Sequence, residues 1–245
     1  MRHLNVYQEI EDPMVEALLP DELRCSKVVL EAARLVCDVN RHPWEWDGHL
    51  FSDKLPPEAL SQSAKVRSGL GFIPRLGREG RPLWKQGFSV AEGREHLSAY
   101  HIPYHQALMR MIDGQRQSGF IRVLVLDCHS MPKIAGFNKG HRRIDICLGN
   151  DHASTSQDET IKTLGEALRA QGFRVGFNDP FAGGYIISHH AHMNNGVEAI
   201  QMEINRALYW DENNHCPSPD FDKTKARLKA GLMEFCTNQF PDFYA

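Results

Sequence analysis

Two stretches of this chain combine residue types that could carry hydrolytic chemistry. The first is Asp127-Cys128-His129-Ser130-Met131-Pro132, which follows the apolar run Phe120–Leu126. A His at the carboxyl edge of a buried strand can give an imidazole nitrogen to a metal ion, and a nearby carboxylate fixes which nitrogen faces it. The same residues could form a capping turn with the His bonded to backbone, and the segment alone leaves both readings open. The second stretch ends at Glu203, followed by Asn205, Arg206 and Tyr209. A carboxylate beside a metal can act as general base for water and then as acid for a leaving amine. Its structural alternative is an ion pair with Arg206 or a neighbour. Buried acids are rare unless paired or working.

Further candidates are weaker. Asp38-Val39-Asn40-Arg41 again puts polar groups at the end of an apolar run. A guanidinium there can grip a carboxylate through two parallel hydrogen bonds, or form a structural bridge to Asp38 or Glu45. Arg75, in a Pro-rich loop, is a second candidate for holding a carboxylate or an oxyanion. Gly183-Gly184-Tyr185 lets backbone approach a ligand or simply bend. His189, His190 and His192 match no familiar metal-ligand spacing. Of six cysteines, only Cys128 lies near the candidate chemistry, and space-filling is favoured over a nucleophilic role.

These groups must be positioned by regular elements. Met14, Val15, Leu18 and Leu19 share a stripe that predicts a helix within Glu11–Leu19. Val28–Leu30 and Leu35–Asn40 could be strands, with Ala32-Ala33 equally suited to a helix. His42–Gly93 is rich in Pro, Gly and Trp, and a long irregular segment of this kind is usually functional. Arg94–Asp113 has helical spacing through His105, Leu108, Met109 and Ile112. Phe120–Leu126 reads as a strand buried on both faces, and Ile144–Leu148 and Phe173–Phe177 read as further strands. Thr160–Ala170 and Asp222–Phe240 read as helices, the latter with Leu228, Leu232 and Phe235 inward. Val197–Ile204 alternates, so that Val197, Ala199, Gln201 and Glu203 share one face. Strands alternating with helices predict an α/β/α sandwich with a mixed, mostly parallel sheet.

The bulk properties narrow the class. The chain has 245 residues, 42% of them hydrophobic and 24% charged, with a formal net charge of −3. The acidic balance argues against a nucleic-acid partner. No stretch approaches the roughly 20 apolar residues of a membrane span, and the first residues have no secretory pattern. A single cytoplasmic domain over 1–245, with reduced thiols and a small-molecule substrate, is the expectation. Oligomeric state is not legible.

In order along the chain, DVNRHPWEWD, GLGFIPR, YHIPYHQAL, VLVLDCHSMP, DICLGN, PFAGGYI and GVEAIQMEINRALYWDE resemble the N-formylglutamate amidohydrolase (N-formylglutamate deformylase) family. The resemblance implies a zinc-carboxypeptidase-like α/β/α sandwich. It also implies zinc-dependent hydrolysis of N-formyl-glutamate to glutamate and formate in histidine breakdown. By motif, it assigns His129 and Asp12 (preferred over Glu11) to one zinc ion, Glu203 to general base, and Asn40 with Arg41 to the substrate carboxylate. Two features depart from the family. Its early His-bearing turn is not found, since His3 is not followed by small residues, and Ser188 stands where relatives carry a basic group. They motivate two alternatives: a non-catalytic binder of acidic N-acyl amino acids that has lost a metal ligand, and an amidase for another N-acyl amino acid.

Overall fold

In the computed structural model, residues 10–77, 80–133 and 144–241 are described, and they fall into two compact units. One takes Val28–Gln117 and the segment ending at Glu11. The other takes Asp12–Lys27 and the chain from Ser118 onward.

The first unit is mostly irregular and packs around aromatic rings. Trp46 is fully buried, with Phe51 and Phe72 at ring-centroid distances of 4.7 and 5.0 Å. The Cβ-free Gly93 lets a helix lie directly on the Trp46 and Phe51 rings. Its helices are α1 (Ala64–Arg67), α2 (Val90–His96) and α3 (Ile102–Gln117), the last two joined by a π-turn over Leu97–His101. Ser89 and Glu92 close a capping box at the start of α2. The inward stripe of the α2–α3 rod is Leu97, His101, His105 and Ile112, while Met109 is half exposed. Val28–Asn40, expected to be strands or a helix, contains no helix or strand. The apolar side chains Leu35, Cys37 and Val39 are buried, but their backbone is held by side chains instead of by a ladder.

The second unit is a mixed α/β layer. Its sheet runs β1 (Val123–Met131), β4 (Val197–Asn205), β2 (Ile146–Gly149), β3 (Val175–Phe177) in spatial order. β1 and β4 are parallel, β2 and β3 are parallel, and β2 is antiparallel to β4. Helices α4 (Asp158–Ala170) and α6 (Phe221–Gln239) pack together on one face, burying Leu164, Leu168, Leu228 and Leu232 against Ile200, Met202 and Ile204. A short α5 (Tyr185–His190) precedes β4. The first element here is only a four-residue helix, Val15–Leu18.

The strand expected over Phe120–Leu126 is shifted. Phe120 is 38% and Ile121 87% exposed, and the strand starts at Val123 but continues through the polar residues to Met131. Pairing with β4 as far as Met131 and Asn205 draws it out. As the outer described strand it is mostly half buried, not enclosed on both faces. Asp127 and His129 therefore stand inside a strand, not in a turn.

Candidate functional site

Because side chains alternate along a strand, register decides which groups meet. His129 pairs with Glu203 and Asp127 with Gln201 across the parallel β1–β4 ladder. All four therefore stand on one face, while Leu124, Leu126 and Cys128 turn to the opposite face and pack on the helix-side core. Gln201 donates from Nε2 to Glu203 Oε1 at 2.8 Å, fixing one oxygen of a buried carboxylate.

His129 lies between two acids. Its Nδ1 is 2.8 Å from Asp12 Oδ2, and its Nε2 is 3.0 Å from Asp127 Oδ1. The other Asp12 oxygen, Oδ1, accepts from both the backbone N–H and the hydroxyl of Ser130, each at 2.8 Å. Ser130 Oγ in turn accepts from Nε of the buried Arg206 at 2.9 Å. Tyr209 donates to the Pro13 carbonyl at 2.9 Å and anchors the segment that carries Asp12. Glu11 is engaged in the other unit, accepting the backbone N–H groups of Arg34 and Leu35.

Burial opposes a charge on the His129 ring, yet Asp127 and then Asp12 outweigh it and hold its pKa well above the usual imidazole range. The site stabilises positive charge on the ring. Asp12 and His129 are joined directly by a hydrogen bond, and both nitrogens of the ring meet carboxylates. Two ligands on a tetrahedral ion with bonds near 2.0 Å stand about 3.3 Å apart, so the 2.8 Å contact between Asp12 and His129 would have to open to admit one. Asp127 at the far nitrogen is the carboxylate that metal-bound imidazoles commonly require to fix their tautomer.

Cys128 does not share this face. Burial pushes its thiol pKa far up, which suits packing and not attack. His190 on α5 is buried, and burial, with His189 and His192 beside it, lowers its pKa to about 4, so the ring is neutral. His189 stacks on Tyr185.

The remaining predicted residues belong to the first unit. Arg41 donates from Nε to the Leu70 carbonyl and from Nη1 to the Asn40 carbonyl, both at 3.0 Å, and lies 3.7 Å from the buried Asp38. Arg75 pairs with the buried Asp47 at 2.6 Å. Asn40 is buried, its N–H donated to Asp38 Oδ1. Gln201, Ser130 and Arg206 were not singled out as site residues from the sequence. For Gln201 a signal existed, since it stands two residues before Glu203 on a strand.

Fold and site together define a mixed α/β protein with a cation-stabilising acid–imidazole centre on a parallel strand pair. The chain belongs to the N-formylglutamate amidohydrolase family, whose sequence profile matches residues 3–210. It is 28% identical over 196 residues to the N-formylglutamate deformylase of Pseudomonas aeruginosa, covering 78% of this chain and 67% of that protein. It is 27% identical to the deformylase of Pseudomonas putida, covering 78% and 66%. The chain thus spans about two thirds of the length of these relatives. In structure it resembles an N-formylglutamate amidohydrolase from Ralstonia eutropha, with TM-score 0.84, 24% identity, and coverage of 96% of this chain and 85% of that one. Among the described residues no helix is long and apolar enough to cross a membrane.

Proposed function

We propose that this chain is a metal-dependent amidohydrolase that cleaves the N-formyl amide of N-formyl-L-glutamate, or of a related N-acyl amino acid. The products are the free amino acid and formate, or the carboxylate of whichever acyl group is removed: water adds its hydroxyl to the acyl carbon and a proton to the departing nitrogen. The names of the Pseudomonas relatives support this substrate class. The observation that carries the chemistry is His129 held between Asp12 and Asp127, with Glu203 in register on the next strand.

Asp12 and His129 would hold one zinc or other divalent ion. When bound, it would make water a nucleophile near neutral pH and polarise the acyl carbonyl. Asp127 keeps the His129 tautomer. Glu203, with one oxygen fixed by Gln201, takes the proton from water and passes it to the leaving nitrogen. Asn40 and Arg41 would bind the substrate carboxylate. Arg75, its charge already balanced by Asp47, is the weaker choice for a second acid group. The relationship also supports a three-layer, zinc-carboxypeptidase-like sandwich, with residues 1–245 serving one domain in cytoplasmic histidine catabolism. A binder without chemistry would have no need of the acid–imidazole set and is not favoured.

Glu203→Gln tests the reading. The amide preserves size and can still meet Gln201, so fold and metal content should stay while kcat falls by about 10²- to 10⁴-fold. Near wild-type turnover of N-formyl-L-glutamate would remove Glu203 from the mechanism.

A further inference from the structure

The α2–α3 rod carries three histidines whose rings all reach one short piece of backbone. His96 Nδ1 is 2.8 Å from the Val36 carbonyl oxygen, His105 Nε2 is 2.9 Å from that of Val39, and His101 Nε2 is 2.9 Å from that of Arg41. The rings of His101 and His105 lie 4.3 Å apart, and both residues are buried. Spacings of five and four residues would not align three side chains on an uninterrupted α-helix. His96 would point about 140° away from His101. The π-turn over Leu97–His101 absorbs one residue, so that a five-residue step behaves like a four-residue one. Pro103 gives a local reason for it, because its ring clashes with the carbonyl four residues earlier and it has no N–H to donate. A sequence-encoded defect thus brings His96 onto the stripe of His101 and His105.

The backbone they hold is irregular, so its buried carbonyls need donors from elsewhere. The same piece presents Arg41. One side of that guanidinium is fixed on the Leu70 and Asn40 carbonyls, leaving the Nη2 end without a partner among the described residues. Asp38 lies 3.7 Å from Arg41 and 3.9 Å from Arg34.

We propose that His101 and His105, with His96 in support, are positioning residues that set the backbone of Val36–Arg41 and thereby aim Arg41 at the carboxylate of the substrate. The inference rests on the carboxylate-binding role proposed for Arg41 and extends it to a second set of residues. The rings act by donating to carbonyls, so a side chain that keeps the donor should keep the function. Glutamine reproduces the reach of Nε2.

The test compares R41A, H101L, H105L, H101Q, H105Q and the double variant R41A/H101L in turnover of N-formyl-L-glutamate. R41A should lower kcat/KM about a hundredfold through the loss of one charged contact. H101L and H105L should each raise KM about five- to tenfold with kcat nearly unchanged, as expected for lost ground-state binding through one hydrogen bond. H101Q and H105Q should return KM to near the wild-type value. The double variant should be no worse than R41A, because a residue acting through Arg41 has nothing left to act on. If R41A lowers kcat/KM but the leucine variants leave KM unchanged, or add their full effect to R41A, the positioning role is overturned and the carboxylate role of Arg41 stands. If R41A itself has wild-type KM, the carboxylate role fails and the positioning role fails with it. Dissociation constants for N-formyl-L-glutamate by calorimetry give the same comparison for any variant that binds without turnover.

Discussion

Ser130 stands between two charges that approach to 4.0 Å, Arg206 and Asp12. Its hydroxyl donates to Asp12 and accepts from Arg206, so one small side chain both orients a proposed metal ligand and satisfies a buried guanidinium. Ser130→Ala should therefore lower stability in urea by about 1–3 kcal/mol, the cost of a buried donor left without its acceptor. It should also weaken zinc binding about 10- to 100-fold, as loss of a supporting contact behind a ligand typically does. Lower stability with unchanged zinc affinity would limit Ser130 to a role in folding. The neighbouring Cys128 makes the opposite case. One residue along the strand its side chain faces the hydrophobic core with Leu124 and Leu126, and burial raises its pKa. Cys128→Ala should keep near wild-type turnover, and the native thiol should resist alkylation. A drop by orders of magnitude would restore a thiol to the chemistry.

Elements differ in how plainly the sequence announces them, and the difference follows from what holds each one. β4 and helices α4 and α6 were legible because their own periodicity buries them: nine consecutive strand residues are buried, and Leu228, Leu232 and Phe235 recur on one helix face. β1 was misplaced because its polar half is held by partners remote in sequence. Glu203 and Gln201 lie across the ladder, and Asp12, 117 residues before His129, takes the Ser130 N–H. No local pattern encodes that meeting, and Asp12 was named only through family resemblance. The segment Val28–Asn40 misled for a related reason, since two histidines, His96 and His105, about 60 residues onward in sequence, supply donors that a sheet neighbour would otherwise supply. Close approach of elements was also hidden. At the end of β2, a Cβ on Gly149 would lie 2.4 Å from the Ala182 carbonyl oxygen and 2.5 Å from its carbon. Backbone cannot rotate away as a side chain can, so Gly149→Ala should cost about 1–3 kcal/mol through overpacking. Thermal unfolding measures this, and an unchanged midpoint would show that the Phe181–Gly184 segment yields freely.

At the scale of the whole molecule, Asp12 and His129 tie the start of the second unit to its sheet, and an ion bridging them would bind the native chain far better than the unfolded one. Such binding stabilises by about 2.7 kcal/mol when the free ion exceeds its dissociation constant a hundredfold. That is a large share of the roughly 5–15 kcal/mol by which folded proteins usually exceed their unfolded state. For a chain of this size it corresponds to a rise in melting temperature of about 5–10 °C. Wild-type protein stripped with chelator and titrated with zinc should show the rise, and excess chelator should reverse it. Asp12→Asn and His129→Ala should both lose it, whereas Glu203→Gln, which removes the proposed base and not a ligand, should keep it. This pattern separates a metal site from a general affinity of surface acids for zinc, because surface binding would leave all four proteins shifting alike. A wild-type chain that ignores zinc yet binds N-formyl-L-glutamate tightly without turnover would return the non-catalytic binder to first place. The acid–imidazole centre would then be an Asp–His–Asp ion pair that serves the fold alone.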